Sequence, residues 1–177
     1  MALPEGMMLR PLEDVDFQLF LDIQSDALRN APEVFGSDYE WFEALSILSK
    51  EQRFEKYMMF PYKYLLGAFT REGVLVGMIG FSNDRNRSKI RHKAQIWGLY
   101  VLPENRGSGI ASALVRSVVE TAQEIGVELI QLSVSTRNTE SYALYLRSGF
   151  VVYGTEVRAM KVQSDYIDEY LMVKFLR

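Results

Sequence analysis

The chain has 177 residues, 48% of them hydrophobic and 24% charged, a globular composition that suits one domain spanning 1–177 with room for a real core. Its formal net charge of −3 argues against a generic nucleic-acid binder, which would be basic. There is no cysteine and one histidine, His92, so disulfides, thiolate zinc sites, a cysteine nucleophile and His-pair metal sites are excluded, and no metal is expected.

Met1–Arg10 holds no apolar segment of signal-peptide length. No apolar run approaches the ~20 residues of a membrane helix, so a cytoplasmic protein without a membrane partner is expected. Met8–Leu12 reads as a first strand. Phe17, Phe20, Leu21 and Leu28 recur at helical spacing up to Ala31, where Pro32 breaks the pattern. Tyr39–Leu48 and Glu51–Met59 form a second helical region rich in aromatics. Tyr64–Phe69 and Val74–Phe81 read as a hairpin about the turn Arg71-Glu72-Gly73. Ser82–Lys93 is a polar, basic loop with Arg85, Arg87, Lys89, Arg91 and Lys93, by default a solvated one. Gln95–Val101 is the next strand.

Gly109–Ile125 is an amphipathic helix, with Ile110, Leu114, Val118 and Ala122 on one face and Gly126 closing it. Leu129–Val134 reads as a buried strand. Thr139–Arg147 is a helix ended by Gly149, and Val151–Val157 with Glu169–Phe175 form a final antiparallel pair. The order predicts a mixed α/β sheet.

The most informative stretch is Gln95–Leu114. A strand runs into Pro103-Glu104-Asn105, then Arg106-Gly107-Ser108-Gly109-Ile110-Ala111 opens a helix. Glycines let a backbone approach an anion, and free N–H groups at a helix start hold phosphate oxygens. Two nucleotide loops fail on the residues: no lysine follows Gly109 as a P-loop demands, and position 112 is Ser112 where a dinucleotide loop needs glycine.

The segment resembles the pyrophosphate motif of the GNAT superfamily of acyl-CoA N-acyltransferases, Arg/Gln-x-x-Gly-x-Gly/Ala, at every fixed position. Leu99-Tyr100-Val101-Leu102-Pro103-Glu104 before it is similar to the strand that precedes the motif in that family. Asn138, Ala143-Leu144-Tyr145 and Gly149-Phe150 resemble its second conserved region. The resemblance implies the GNAT fold, a mixed, mostly antiparallel sheet of about seven strands flanked by about four helices. It implies acetyl-CoA as co-substrate, with the pantetheine arm lying as a pseudo-strand beside the backbone of Leu99, Tyr100 and Val101. Arg106 and the N–H groups of Gly107, Ser108, Gly109, Ile110 and Ala111 would hold the pyrophosphate, joined by the Ser112 hydroxyl. Asn138 would bond the pantetheine chain or the acetyl end, and Tyr145 would sit by the sulfur.

Transfer of an acetyl group from a thioester needs a neutral amine, a donor for the carbonyl oxygen and a proton for the leaving thiolate. Without cysteine, direct transfer in a ternary complex is the natural route. Tyr145 is the candidate acid; its alternative role is to pack with Tyr142 on one helix face. The N–H of Leu99 is the candidate oxyanion donor. The base is not legible. Some family members place a glutamate where this chain has Gln95, which cannot serve, while Glu33, Asp38, Glu40 and Glu43 border the expected acceptor site. That site is expected between the segment around Ala31–Trp41 and a loop Arg158–Asp165. Its acidic, aromatic character suits an amine or polyamine, and a small-molecule primary amine is the acceptor expected. The other readings are a protein or peptide N-acetyltransferase and a catalytically silent acyl-CoA sensor. The oligomeric state is not fixed, a homodimer being one assembly open to it.

Overall fold

The computed structural model describes residues 3–176. In chain order its elements are β1 (Met8–Pro11), α1 (Phe17–Asn30), α2 (Tyr39–Ala44), α3 (Ile47–Glu55), β2 (Met58–Met59), β3 (Lys63–Phe69), β4 (Leu75–Asn83) and β5 (Lys93–Val101). Then come α4 (Ile110–Glu124), β6 (Leu129–Ser135), α5 (Thr139–Arg147), β7 (Val151–Val162) and β8 (Asp165–Phe175). The sheet runs β1-β3-β4-β5-β6-β8-β7, with the short β2 on β3. Among the described residues β5 and β6 form the one parallel pair, and the other pairs are antiparallel. This is the expected mixed sheet, with eight strands and five α-helices among the described residues.

Helices cover both faces. On α1, Phe20, Ile23 and Ala27 recur at helical spacing and bury against Leu65, Phe69, Met78 and Tyr100. On α4, Ile110, Leu114, Val118 and Ala122 bury against Leu66, Ile79, Ile96 and Ile130 on the opposite face. Leu114 is fully buried, so truncating it to alanine costs about 2–5 kcal/mol. No helix among the described residues is long and apolar enough to cross a membrane.

Two elements differ from the sequence reading. The second helical region divides at Ser46, whose hydroxyl accepts a bond from the Ser49 N–H at 3.2 Å and caps α3. The helix therefore starts at Ile47 and ends at Glu55, leaving Met58–Met59 to pair with β3. In the last hairpin, the expected loop Arg158–Asp165 is mostly strand. Its ladder breaks between Glu156 and Met160, with Arg158 at φ 57°, then resumes with Met160 opposite Ile167. A bulge inserts residues without ending a strand, and buried Ile167 anchors the resumed stretch.

Candidate active site

The site grows from a break in one strand pair. β5 and β6 pair only at Lys93–Leu129, Ala94–Ile130 and Gln95–Gln131, then diverge. On its other edge β5 stays on β4, but with an irregularity: Met78 faces Tyr100 while Gly80 faces Trp97. One extra residue is thus inserted in β5 at Gly98–Leu99, a bulge that increases local twist. Gly98 has φ 63°, a conformation that glycine takes at little cost.

The bulge and the ladder fix where the backbone groups point. Leu102 donates its N–H to the Val76 carbonyl at 2.9 Å. By antiparallel alternation the peptide groups of Leu102 and Tyr100 face β4, whereas those of Val101 and Leu99 face the edge that β6 has left. A main-chain donor–acceptor row therefore lines the wedge between the strands. Arg106 reaches into it, its Nε donating to the Val101 carbonyl at 3.0 Å.

At the C-terminal end of β5, Pro103–Asn105 forms a one-turn 3-10 helix with proline in its first position. The chain then turns through Gly107 (φ 73°) and Gly109 (φ 92°) into α4. Gly109 occupies the N-cap position and offers no side-chain acceptor. The N–H groups of Ile110, Ala111 and Ser112 thus lack helical partners and project from the positive end of the dipole.

Wedge and helix start open into one cavity of about 680 Å³. Of the residues expected from sequence, Leu99, Tyr100, Val101 and Arg106 line it, as do Gly107, Gly109, Ile110, Ala111, Ser112 and Asn138. The Asn138 Oδ1 accepts the Ser141 N–H at 3.1 Å as the cap of α5, which leaves its amide nitrogen as the group able to meet a ligand. Ser108 does not line the cavity; its hydroxyl donates to the Asn105 carbonyl at 2.5 Å and holds the turn closed.

Tyr145 also stands off the lining. It is buried, and its ring meets Phe150 edge-on at 5.7 Å. Burial pushes its phenol pKa above the ordinary value, which keeps the proton on. The phenol makes no hydrogen bond with the described residues, and it is not among their fully enclosed unpaired atoms.

Sequence reasoning missed the rest of the α5 face. Glu140, Ser141, Leu144 and Arg147 line the cavity, and the spacing of Glu140, Leu144 and Arg147 is a helical stripe that could have been read directly. Asn30 at the end of α1, with Ala31, Pro32, Glu33 and Val34 after it, forms the opposite rim. Of the four candidate bases only Glu33 lines the cavity; Glu43 is engaged by Ser25 at 2.5 Å and by Lys50 at 3.6 Å. Gln95 and Lys93 face a different depression, where Lys63 pairs with Asp84 at 2.9 Å, so the basic loop is not part of this lining. Tyr100 donates its hydroxyl to Asp26 at 2.7 Å and ties β5 to α1; desolvation, and then this carboxylate, push its pKa up to about 12.

The acetyltransferase (GNAT) family model matches residues 23–150. The chain belongs to the GNAT acetyltransferase family. An uncharacterised N-acetyltransferase of Mycobacterium tuberculosis is 30% identical over 126 residues, which cover 70% of this chain and 74% of that protein. The mycothiol acetyltransferase of Pseudarthrobacter chlorophenolicus is 29% identical over 160 residues, 88% of this chain but 46% of that protein. Among solved structures, a GNAT acetyltransferase from Streptococcus pneumoniae superposes with a TM-score of 0.83 at 25% identity, covering 97% of this chain and 99% of that one. The Salmonella typhimurium acetyltransferase yncA, solved with acetyl-CoA, gives 0.81 at 18% identity, with 98% and 95% covered. The GNAT assignment makes the chain an acyltransferase by family, and its wedge and glycine turn occupy the region matched by the family model.

Proposed function

We propose that this GNAT chain transfers an acetyl group from acetyl-CoA to a small-molecule amine, directly and within a ternary complex. The observation that carries the reading is the junction of the β5–β6 wedge with the start of α4. It offers main-chain groups that β6 has left, the Val101 carbonyl among them already met by Arg106, for an amide-bearing arm, and free N–H groups at the helix start for a diphosphate, in one continuous cavity.

The residues suit that co-substrate. The N–H groups at the start of α4, with Arg106, present positive ends to a pyrophosphate. Arg147 adds a second cation on the lining. The Leu99 and Val101 peptide groups can continue the ladder with the two amides of pantetheine, as a strand would. Acetyl-CoA supplies an activated acyl group as a thioester. The Leu99 N–H, turned outward by the bulge, stabilises the negative charge that grows on the carbonyl oxygen. The Tyr145 phenol holds its proton at working pH; the residue stands off the cavity lining but its hydroxyl is not fully enclosed, so the proton passes to the departing sulfur through a bridging water. For the acceptor, the rim after α1 combines Glu33 with the aromatic pair Phe35–Tyr100, whose centroids lie 5.9 Å apart. A carboxylate beside aromatic faces favours an amine, and the mycothiol acetyltransferase relative also bears the name of a small molecule.

A free-thiol assay tests the proposal. With acetyl-CoA and a panel of primary amines, thiol release should rise above hydrolysis and match the acetylated amine formed. Acetyl-CoA binding with no transfer to any amine or peptide would favour the sensor reading instead.

A further inference from the structure

Arg137 lies between Ser135, the end of β6, and Asn138, the cap of α5. Its Nη1 donates to Glu33 Oε1 at 2.9 Å and its Nη2 reaches Asp165 Oδ2 at 3.4 Å. Glu33 is on the connection between α1 and α2, and Asp165 begins β8 at the turn of the last hairpin. One guanidinium thus ties together two segments far apart in sequence. Glu33 and Asn138 both line the cavity, so the tie sits at its rim.

We infer that Arg137 is a clasp across the acceptor mouth and that it sets the size of acceptor this chain accepts. The inference rests on the transferase reading above, in which the connection after α1 and the last hairpin flank the acceptor. A planar guanidinium can address two carboxylates at once, whereas an ammonium is a single point charge. The three side chains are 40%, 49% and 62% exposed, and ion pairs so open to water add little to stability. The clasp is therefore weak enough to open and close, unlike a staple that holds the fold. The connection after α1 is also anchored by Ala31 and Phe35, which pack against the core, Phe35 against the Tyr100 ring. With the clasp shut, a short amine can enter beneath it. A peptide must displace it, which sets its cost against every large acceptor.

The competing explanation is electrostatic: Glu33 and Asp165 outnumber Arg137 and would simply draw cations in. Two variants separate the two. Arg137→Gln removes a positive charge, and Glu33→Gln with Asp165→Asn removes two negative ones, yet both release the clasp. Two readouts are needed. Amide hydrogen exchange of residues 31–38, with no ligand present, should speed up in both variants by about tenfold. The ratio of kcat/KM for a lysine-containing pentapeptide with blocked termini to that for benzylamine should rise in both by about tenfold, with most of the change in the peptide's KM. Ratios that move in opposite directions would assign the effect to charge and overturn the clasp. Faster exchange with unchanged ratios would make it a structural tie only, and unchanged exchange in both variants would overturn it outright. If the unaltered chain acetylates no amine at all, the transferase reading fails, while the exchange measurement still judges the clasp by itself.

Discussion

The ring of Tyr145 stands edge-on to that of Phe150, with centroids 5.7 Å apart and planes at 65°. This contact packs the ring in the core, off the cavity lining, while the hydroxyl is not fully enclosed. The neighbouring α5 residue Leu144 does line the cavity, and successive helical side chains diverge by about 100°.

Tyr145→Phe keeps the ring and its packing and deletes only the hydroxyl. That hydroxyl has no hydrogen-bond partner among the described residues, so the thermal midpoint should not fall. Under the proposed mechanism the maximal rate drops by roughly 10–10³-fold with coenzyme affinity near normal. An unchanged rate, measured where chemistry is limiting, removes Tyr145 from the reaction. Desolvation raises the phenol pKa, so its loss should not remove an ionisation near neutral pH.

Gly109→Asp tests the phosphate end. Gly109 is at φ 92°, where a side chain is strained, and its substituent would bring negative charge to the helix start. A ligand at a hundred times its Kd stabilises its protein by about 2.7 kcal/mol. Acetyl-CoA should therefore raise the melting temperature of the wild type and leave that of the variant unmoved. An equal shift in both would place the coenzyme elsewhere.

Gly98→Ala tests the bulge. Nothing lies within 4 Å of a Cβ at this position, so sterics alone permit the alanine. The cost is the left-handed φ of 63°, about 1–2 kcal/mol. The strand can relieve it by flattening the bulge, which turns the Leu99 N–H away from the wedge. The expected result is a fall in kcat larger than any rise in KM. The reverse pattern would mean that the bulge serves binding and not the oxyanion.

What the sequence disclosed and what it hid divide along a physical line. Arg106–Ala111 and the amphipathic face of α4 are local signals, carried by residues a few positions apart. The wedge is not local. It exists because Gln95 pairs with Gln131 and the next residues do not, and such a register belongs to two distant strands at once. The bulge past Glu156 hid the far part of β7, residues 158–162, for the same reason, since only pairing of Met160 with Ile167 shows that the strand resumes. Arg137, joined to Glu33 across 104 positions, carried no sequence signal at all. Tyr145 was legible as a motif residue, but its burial depends on Phe150 and the sheet beneath it.

Acid stability should hinge on Asp16. Arg10 grips its carboxylate with two bonds of 2.5 and 2.9 Å, and the Glu13 N–H adds a third at 2.8 Å. The Arg10 bond, ahead of the opposing burial, holds the Asp16 pKa below the usual carboxylate value. A lowered folded pKa gives stability that is present above the unfolded value of about 3.9 and is lost as pH falls through the folded one. Asp16→Asn should thus cost about 2 kcal/mol at pH 7, and the gap from wild type should begin to narrow below pH ~4 and go on narrowing as pH falls through the folded value. Thermal melts at pH 7 and pH 3 check this; a gap that is constant with pH would mean that the loss is one of shape alone.

His92 is the one histidine of the chain, and histidine is the side-chain type most used as a general base, which makes it the tempting base. Its position argues against the role. The His92 carbonyl accepts the Glu128 N–H at 2.7 Å, at the end where β5 and β6 are still paired. The wedge opens only beyond Gln95, and the bulge that turns the Leu99 N–H outward is further along. A strand rises about 3.3 Å per residue, so His92 and Leu99 are separated by roughly 20 Å. No single water spans that gap. His92→Ala should keep most of the activity, and the rate should climb with pH along the ionisation of the amine itself. A hundredfold loss in a folded variant, together with disappearance of a transition near pH 6–7 from the profile, would show that the imidazole is the base and that the amine enters from the paired end of the strands.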